Sequence, residues 1–353
     1  MRLLALTLSY LIGFSGVLAL QNRMYEINEN SGIGEPFKNP TQTKFFIYVP
    51  GMSAGNTLWY PIVVVPHYCG ADADTMFKNT LYAQYADQYK YIVIFPSAPR
   101  GCWDVSSKES LMHDGGGDST GISLMVKWVL RNYRADPNRV YVTGLSSGGM
   151  MTQVLCATYP DMFRAGSAWA SVPPGCFTHL DYFGSGDLCP SGGVRKTGQQ
   201  WGDIIRQGYP GYNGPRPRLQ LWHGELDRGI DYTNLGESIK AWTNVLKVTA
   251  TTNSTNSPIG GYTKINFAGP SEEVKLEAYS AANVEHVMPF RELDVLKWFG
   301  IVPCDFGTRR VFEGRAAKEY FHQSVVITGT LSGSNRGLAE KSGSTSKSRS
   351  SRR

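Results

Sequence analysis

Short runs of β-branched and aromatic residues alternate with longer, helix-like segments through the middle of the chain. Six of these runs predict strands, at residues 45–49, 62–65, 91–95, 140–143, 219–222 and 274–279. Several of them are apolar on both faces, which is typical of strands that are covered on both sides in a parallel sheet. The alternation predicts an α/β fold, in which a mostly parallel central sheet is flanked by helices.

Apolar residues at helical spacing predict the helices that cover this sheet. The clearest stripe comprises Ile122, Met125, Val126, Val129, Leu130 and Tyr133. Asp118 or Ser119 is the candidate cap of this helix, and Asp136-Pro137 is its expected stop. Further helices are predicted at residues 150–159, 234–246 and 290–299.

The amino terminus has the layout of a secretory signal peptide. Arg2 precedes a mainly apolar run at residues 3–12, and a small-residue cleavage pattern ends at Ala19. A membrane anchor is the alternative, but the apolar stretch is short and is interrupted by serine and glycine residues. We expect residues 1–19 to be removed and the mature protein to be secreted and extracellular, with no membrane partner.

The formal net charge of +6 is confined to the carboxyl-terminal end. Residues 305–353 contain ten of the 35 Lys and Arg and four of the 29 Asp and Glu, so the first 304 residues carry no net charge. The end of the chain is rich in Ser, Gly, Lys and Arg without apolar periodicity, which predicts a disordered basic tail over residues 305–353. A solvated extension is favoured over binding to an anionic surface, and no nucleic-acid partner is expected.

A G-x-S-x-G motif at residues 144–148 directly follows a predicted strand and precedes a predicted apolar helix. Strand, tight turn and helix are the context in which this motif forms a nucleophile elbow, which exposes a serine at the end of a strand. Gly144 and Gly148 are expected where any side chain would collide with its neighbours. Ser146 is therefore the candidate nucleophile of a hydrolase.

A serine hydroxyl is a weak nucleophile and needs an acid and a base further along the chain, in the order Ser, Asp or Glu, His. Asp227 lies just past one predicted strand, and His286 follows another. Loops at the carboxyl ends of parallel strands meet at one edge of the sheet. We therefore expect Ser146, Asp227 and His286 to form a catalytic triad.

Neighbouring residues are alternative candidates for the acid and the base. Asp231 and Glu225 lie close to Asp227, which is preferred because it directly follows the end of a strand. His223 is the other histidine in this part of the chain and is interpreted as a structural residue.

Two backbone N–H groups are expected to stabilise the negative charge that develops on the substrate carbonyl oxygen. One belongs to Ser147, the residue after the nucleophile. The second is expected from the loop that follows the strand at residues 62–65, where Cys69 and Gly70 are both candidates.

Six cysteines are consistent with the oxidising compartment that a signal peptide implies. The candidate disulfides pair Cys69 with Cys102 and Cys176 with Cys189. Cys156 falls on the apolar helix after the elbow and is expected to be a buried free thiol, with Cys304 as an alternative partner.

Three other patterns concern the surface and possible ligands. Asn253 begins an Asn-Ser-Thr sequon in a polar stretch, which predicts a glycosylated surface loop. The Gly-Gly-Gly-Asp run at residues 115–118 lacks the lysine of a phosphate-binding loop and predicts a close backbone approach before a helix. No His, Cys or Asp cluster has the spacing of metal ligands, so neither a metal nor a cofactor is expected.

Residues 25–303 resemble the secreted acetylxylan esterases of the carbohydrate esterase family that also holds many feruloyl esterases and is related to polyhydroxybutyrate depolymerases. The segments that carry the resemblance are residues 67–70 (HYCG), 102–107 (CWDVSS), 115–119 (GGGDS), 144–151 (GLSSGGMM), 166–170 (GSAWA), 211–217 (GYNGPRP), 222–227 (WHGELD) and 242–244 (WTN).

The resemblance implies an α/β-hydrolase catalytic domain over residues 20–304 and the same triad of Ser146, Asp227 and His286. It implies a monomeric serine esterase that releases acetate from acetylated xylan. A feruloyl esterase is the alternative activity, and an inactive carbohydrate-binding relative is a further alternative. Since sugar faces pack well on aromatic rings, Trp103, Trp169 and Trp201 are candidate substrate-binding residues.

Overall fold

The computed structural model describes residues 23–51, 57–177 and 188–303. Its strands are β1 (Met24–Ile27), β2 (Lys44–Tyr48), β3 (Tyr60–Val64), β4 (Ile92–Ser97), β5 (Ala135–Leu145), β6 (Ala165–Trp169), β7 (Arg218–Gly224), β8 (Thr249–Thr255), β9 (Tyr262–Ala268) and β10 (Val274–Ala281). Its helices are α1 (Ala73–Asn79), α2 (Tyr82–Tyr89), α3 (Asp118–Asn132), α4 (Ser147–Thr158), α5 (Gly198–Gln207), α6 (Thr233–Leu246) and α7 (Glu292–Trp298). The expected signal peptide and basic tail lie outside the described residues, so the domain boundaries stay predictions.

These ten strands form one sheet in the order β1-β2-β4-β3-β5-β6-β7-β10-β9-β8. The central strands from β4 to β10 are parallel to their neighbours, whereas β1, β2, β9 and β8 extend the sheet by antiparallel pairing. The arrangement confirms the predicted α/β-hydrolase fold. Four observed strands were not predicted. The outermost ones are β1, which is only four residues long, and β8, which is exposed at every position. The other two are β9 and the central strand β6, a short run of mostly small residues.

Alternate residues of the central strands face two separate cores. In β3, Ile62 and Val64 pack in the core that contains residues of α3, α4, α5 and α6, whereas Val63 packs in the core that contains residues of α1, α2 and α7. Burying one such side chain stabilises the fold by about 1.5–3 kcal/mol. Helices on both faces therefore hold the carboxyl ends of the central strands in place, and these ends carry the candidate site.

The predicted ends of the helix α3 differ from the observed ones. Gly117 caps this helix, because the carboxylate of Asp118 instead accepts a hydrogen bond from the N–H of Asp104 at 2.9 Å. The helix ends at Asn132, before the expected stop at Asp136, because β5 already begins at Ala135.

Among the described residues, the two disulfides that the sequence predicted are present. Cys69 is bonded to Cys102, with Cα atoms 4.4 Å apart, and Cys176 is bonded to Cys189, with Cα atoms 5.6 Å apart. Cys156 is a buried free thiol. Its alternative partner, Cys304, lies outside the described residues.

The sequon at Asn253 lies in a strand and not in the predicted loop. Asn253 is exposed in β8, and its backbone pairs with that of Ile265 in β9. The polar composition predicted a loop, but pairing with β9 alone is enough to keep this strand extended. Within the described part of the chain, no helix is long and apolar enough to cross a membrane.

A buried glutamine joins the helix after the elbow to two other parts of the fold. The side-chain nitrogen of Gln153 in α4 shares its two hydrogens among Ser171 Oγ at 2.9 Å, the Val172 carbonyl at 3.1 Å and Ser238 Oγ at 3.3 Å. Its oxygen accepts from the indole N–H of Trp242 at 2.7 Å. Because Gln153 is fully buried, each of these groups depends on it for a partner.

Replacing Gln153 by Ala is expected to lower the free energy of unfolding by about 3 kcal/mol, because it opens a cavity and leaves the buried indole N–H unpaired. Urea unfolding followed by tryptophan fluorescence measures the change. Gln88→Ala on the exposed face of α2 is the control and is expected to change stability by less than about 0.5 kcal/mol. Equal stabilities for the two variants would contradict this account of Gln153.

Candidate active site

Ser146 lies at the sharp turn between β5 and α4. Its φ of 56° is in the left-handed region that a residue with a side chain rarely adopts, as expected for a nucleophile elbow. Its N–H donates to the Trp169 carbonyl at 2.9 Å, and its carbonyl accepts from the N–H of Met150 at 2.8 Å. Both neighbours of Ser146 are buried while Ser146 itself is partly exposed, so the turn presents its hydroxyl to solvent.

The elbow glycines touch the loop that follows β3. A Cβ atom at Gly148 would lie 2.7 Å from the His67 carbonyl oxygen and closer still to that of Pro66. A Cβ atom at Gly144 would lie 2.7 Å from the same Pro66 oxygen. Since real Cβ contacts are not that short, both positions require glycine, and residues 66–70, here called the oxyanion loop, rest directly on the elbow.

The three residues expected to form a triad are joined by hydrogen bonds. His286 Nδ1 lies 2.8 Å from Asp227 Oδ2, and His286 Nε2 lies 2.9 Å from Ser146 Oγ. An ionised carboxylate only accepts hydrogen bonds, so Nδ1 carries the proton and Nε2 accepts from the serine hydroxyl. This is the tautomer in which the imidazole can act as a general base toward the serine.

Asp227 is held as a carboxylate by several donors. Its Oδ1 accepts from the N–H groups of Gly229 at 2.9 Å and Ile230 at 2.7 Å. Burial alone would raise the pKa of Asp227, but hydrogen bonds from His223 and His286, the charge of His286 and the N–H of Ile230 together lower this pKa well below its ordinary value. Asp227 is therefore ionised throughout the neutral and mildly acidic range.

The alternative acids lie elsewhere. Asp231 Oδ1 accepts from the N–H of Thr233 at 2.8 Å, at the start of α6. Glu225 Oε1 accepts from the hydroxyl of Ser280. Of the three acids considered, Asp227 is the one that contacts His286.

His223 lies against the same carboxylate, which the sequence did not indicate. Its Nε2 is 2.8 Å from the Ile230 carbonyl and 3.3 Å from Asp227 Oδ2. Because the carbonyl only accepts, Nε2 carries a proton and faces both oxygens. His223 is thus a buried, hydrogen-bonded histidine, as interpreted from the sequence, but it also contacts the candidate acid. The signal was its position four residues before Asp227.

The candidate oxyanion donors separate into two groups. The N–H of Gly70 donates to the Gly101 carbonyl at 2.8 Å, so Gly70 is a wrong candidate because its donor is already used. Within the described ranges, the N–H groups of Cys69 and Ser147 have no protein acceptor. These two N–H groups therefore stay the candidate oxyanion donors.

The three tryptophans expected to bind substrate are in the core. Trp103, Trp169 and Trp201 each have an exposed fraction of 0%, so no ring face is open to a sugar and the prediction is wrong for all three. Trp169 stacks on Trp222, with ring centroids 4.4 Å apart. The indole N–H of Trp201 donates to Glu237 at 2.8 Å. Large aromatic residues of this kind more often fill a core than line a binding surface, and the sequence pattern could not separate the two.

Backbone hydrogen bonds anchor the segment at residues 103–104 to α4 and α3. The N–H of Trp103 donates to Ser147 Oγ at 3.1 Å, and the next residue, Asp104, donates its N–H to Asp118 Oδ2 at 2.9 Å. Burial raises the pKa of Asp118 to about 6. Burial would also raise the pKa of Asp104, but hydrogen bonds from serine hydroxyl and backbone groups, chiefly those of Ser107, lower it below its ordinary value.

The chain is similar to known esterases. Residues 44–178 match the family model described as esterase PHB depolymerase. Feruloyl esterase B of Talaromyces funiculosus is 44% identical over 268 residues, which cover 74% of this chain and 74% of that protein. An acetylxylan esterase of Coprinopsis cinerea is 40% identical over 272 residues, which cover 74% of this chain and 71% of that protein.

A solved structure supports the same relationship. The acetyl xylan esterase from Aspergillus awamori superimposes with a TM-score of 0.72 at 35% sequence identity, covering 79% of this chain and 100% of that chain. The similarity therefore extends over most of the chain, not over the elbow alone.

Replacing Gly148 by Ala is expected to lower kcat/KM for an ester by about 100-fold or more, because the new methyl group pushes the oxyanion loop away from the elbow. Steady-state hydrolysis of p-nitrophenyl acetate measures the loss. The matched control is Gly236→Ala in α6, where an added Cβ meets nothing within 4 Å. That control should keep full activity and gain about 0.5–1 kcal/mol of stability. Full activity of the Gly148 variant would contradict the close contact.

Asp118→Asn is expected to change how stability depends on pH. A carboxyl whose pKa is raised to about 6 in the folded state contributes stability that is present below about pH 4 and lost as the pH rises through about 6. The amide does not titrate, so the variant should match the wild type near pH 4 and exceed it by about 2–3 kcal/mol at pH 8. Urea unfolding at pH 4, 6 and 8 measures the difference. Asp161→Asn on the surface is the control, and parallel curves for Asp118→Asn and wild type would refute the expectation.

Proposed function

We propose that this protein removes acetyl groups from xylan, with Ser146 as the nucleophile. The chain belongs to the family of these feruloyl and acetylxylan esterases and is therefore a carboxylic ester hydrolase. The observation that carries the proposal is the continuous chain of hydrogen bonds from Asp227 through His286 to the partly exposed hydroxyl of Ser146. A serine in this setting is activated for attack on a carbonyl carbon.

The first half of the reaction transfers the acetyl group to the enzyme. Ser146 Oγ attacks the acetyl carbonyl carbon while its proton passes to His286 Nε2. Asp227 keeps the imidazole in the required orientation and stabilises the imidazolium that forms. When the tetrahedral intermediate collapses, the bond to the sugar oxygen breaks and His286 gives its proton to that oxygen, which restores the sugar hydroxyl.

The second half releases acetate. A water molecule takes the place of the sugar and gives a proton to His286 Nε2 as its oxygen attacks the acetyl-enzyme. The new tetrahedral intermediate collapses, the bond to Ser146 Oγ breaks, and the proton returns to the serine. The N–H groups of Ser147 and Cys69 stabilise the oxyanion in both halves, because they are the candidate donors left without a protein acceptor.

A neutral polysaccharide fits the charge of the catalytic part of the chain. The first 304 residues carry no net charge, so no electrostatic attraction to an anionic partner is expected from this part. Acetylated xylan is an uncharged ester of the required kind. Three residue groups that the sequence pointed to, the triad, the oxyanion donors and the elbow glycines, serve this chemistry.

A feruloyl ester is the second candidate substrate. Val287, next to His286, is 79% exposed, and Leu226, next to Asp227, is 49% exposed. Apolar side chains beside the triad suit a phenolic acyl group, which is larger and more hydrophobic than a methyl group. Feruloyl esterase B of Talaromyces funiculosus, which matches 74% of this chain, is named for activity on feruloyl esters.

The cellular setting is part of the same proposal. A signal peptide at residues 1–19, a catalytic domain at residues 20–304 and a basic tail at residues 305–353 describe a secreted monomer with one active site. The two disulfides and the exposed sequon at Asn253 are in keeping with passage through a secretory pathway.

The purified protein should have a higher kcat/KM for acetate release from acetylated xylan than for ferulate release from methyl ferulate. Ser146→Ala should abolish both activities. Loss of a triad serine lowers kcat by orders of magnitude. Acetate and ferulate release are measured on the same preparation. Ser123→Ala, which removes a buried hydroxyl of α3 bonded to the Thr120 carbonyl, is the control and should remain active.

Two outcomes would change the proposal. Faster ferulate release would assign the enzyme to feruloyl esters while leaving Ser146 in its role. Retention of about a tenth of the wild-type rate in Ser146→Ala would remove Ser146 from the mechanism.

A further inference from the structure

His67 is a buried histidine in the oxyanion loop whose two ring nitrogens are both engaged. Its Nδ1 lies 2.7 Å from the Tyr68 carbonyl oxygen, and its Nε2 lies 3.0 Å from the backbone nitrogen of Ala98. A carbonyl accepts and a backbone N–H donates, so Nδ1 carries the proton and Nε2 accepts. The ring is therefore neutral in one defined tautomer. Burial lowers the pKa of His67, which favours the same neutral form.

The hydrogen bond from Nδ1 sets the orientation of one peptide group. The Tyr68–Cys69 peptide is trans, since the cis bond found in the described ranges is Ser257–Pro258. In a trans peptide the carbonyl oxygen and the next N–H point in opposite directions. His67 Nδ1 and the N–H of Ala71 both donate to the Tyr68 carbonyl and hold it on one side, so the N–H of Cys69 points the other way, where it has no protein acceptor.

The ring of His67 is itself fixed by a neighbouring segment. The indole N–H of Trp103 donates to the His67 carbonyl at 2.9 Å, and the two rings lie 5.0 Å apart. The Cys69–Cys102 disulfide and the bond from the N–H of Gly70 to Gly101 join the same two segments. The Tyr68 carbonyl also accepts from the N–H of Ala71 at 3.1 Å. Among the described residues, His67 supplies the one side-chain hydrogen bond to the Tyr68–Cys69 peptide, and it is the shorter of the two bonds to this carbonyl.

We propose that His67 is a positioning residue for catalysis, which fixes the Tyr68–Cys69 peptide so that the Cys69 N–H points toward the oxyanion. The inference rests on the proposed function, in which Cys69 supplies one of the two oxyanion donors. His67 does not touch the substrate. Its effect is on the charge that develops in the transition state, so it should change kcat and leave substrate binding nearly unaltered.

Two amide replacements separate the two ring nitrogens. Asn at position 67 places an N–H donor near the position of Nδ1, whereas Gln places its amide near the position of Nε2 and lacks the Nδ1 donor. His67→Gln is expected to lower kcat for p-nitrophenyl acetate by about 100-fold with KM within about 2-fold of wild type, the loss typical of one oxyanion donor. His67→Asn should keep kcat within about 10-fold of wild type.

His113 supplies the matched control. Its Nδ1 also lies 2.7 Å from a backbone carbonyl, that of Thr158, and it too is packed against aromatic rings. His113→Gln removes the same type of hydrogen bond at the far end of α4 from Ser146. This variant should lose stability, measured as Tm, but keep kcat within about 3-fold of wild type.

The outcomes divide cleanly. A large loss of kcat in His67→Gln, little loss in His67→Asn and little loss in His113→Gln supports the inference. Equal kcat for the Asn and Gln variants at position 67, or equal loss at positions 67 and 113, overturns it. If neither variant at position 67 folds, Trp103→Phe takes their place, because it removes the indole donor to the His67 carbonyl. Its control is Trp128→Phe, whose indole donates to the Glu35 carbonyl at 2.8 Å. Equal kcat for these two variants overturns the inference.

Failure of the proposed function gives a different result. The assay uses a small acetyl ester, so an enzyme that prefers feruloyl esters or another polysaccharide still tests His67. A wild-type activity that persists in Ser146→Ala would show that the mechanism itself is wrong, before any variant at position 67 is compared.

Discussion

The candidate site depends on a close contact between two stretches of backbone. The carbonyl groups of Pro66 and His67 lie against Gly148, and that of Pro66 also lies against Gly144. No side chain fits between them, so the strand-to-helix turn and the oxyanion loop are held at a separation set by backbone atoms. The unusual φ of Ser146 is held by the same packing, because the loop after β3 contacts the glycines on both sides of Ser146 and the Trp169 carbonyl accepts its N–H.

Charge and proton position at the site follow from this backbone frame. Asp227 is surrounded by donors from its own loop and from two histidines. A carboxylate in that position stays ionised, and an ionised carboxylate fixes the tautomer of His286. His67 is fixed in a single tautomer in the same way, by one donor and one acceptor of the main chain. Two hydrogen-bonded histidines, His67 and His286, thus stand on either side of Ser146 in the chain, each with both ring nitrogens engaged.

The chemistry-bearing residues were predictable because their patterns are local. The elbow motif sits between a strand and a helix, and Asp227 and His286 each follow a strand, so the topology of a parallel sheet was enough to bring them to one edge. The mostly parallel sheet itself followed from strands that are apolar on both faces. Both disulfides connect cysteines that lie near the ends of predicted elements or bracket one loop.

The errors have a common physical cause, which is that burial and hydrogen-bond partners are set by tertiary contacts. Trp103, Trp169 and Trp201 fill the core because of what packs on them, and the N–H of Gly70 is used by Gly101, thirty-one residues away. The contact of His223 with Asp227 depends on how one loop folds back. The strand β8 has no buried residue and no alternating apolar pattern to mark it, and it is held by pairing with β9.

The Cys69–Cys102 disulfide closes a covalent ring that contains α1, α2 and β4. Helices of seven and eight residues are elements in which local unfolding costs less than unfolding of the whole domain. When such a helix opens, the ends of the ring cannot separate, because they are bonded to each other. The disulfide therefore limits how far local opening of α1 or α2 displaces the oxyanion loop, to which Cys69 belongs.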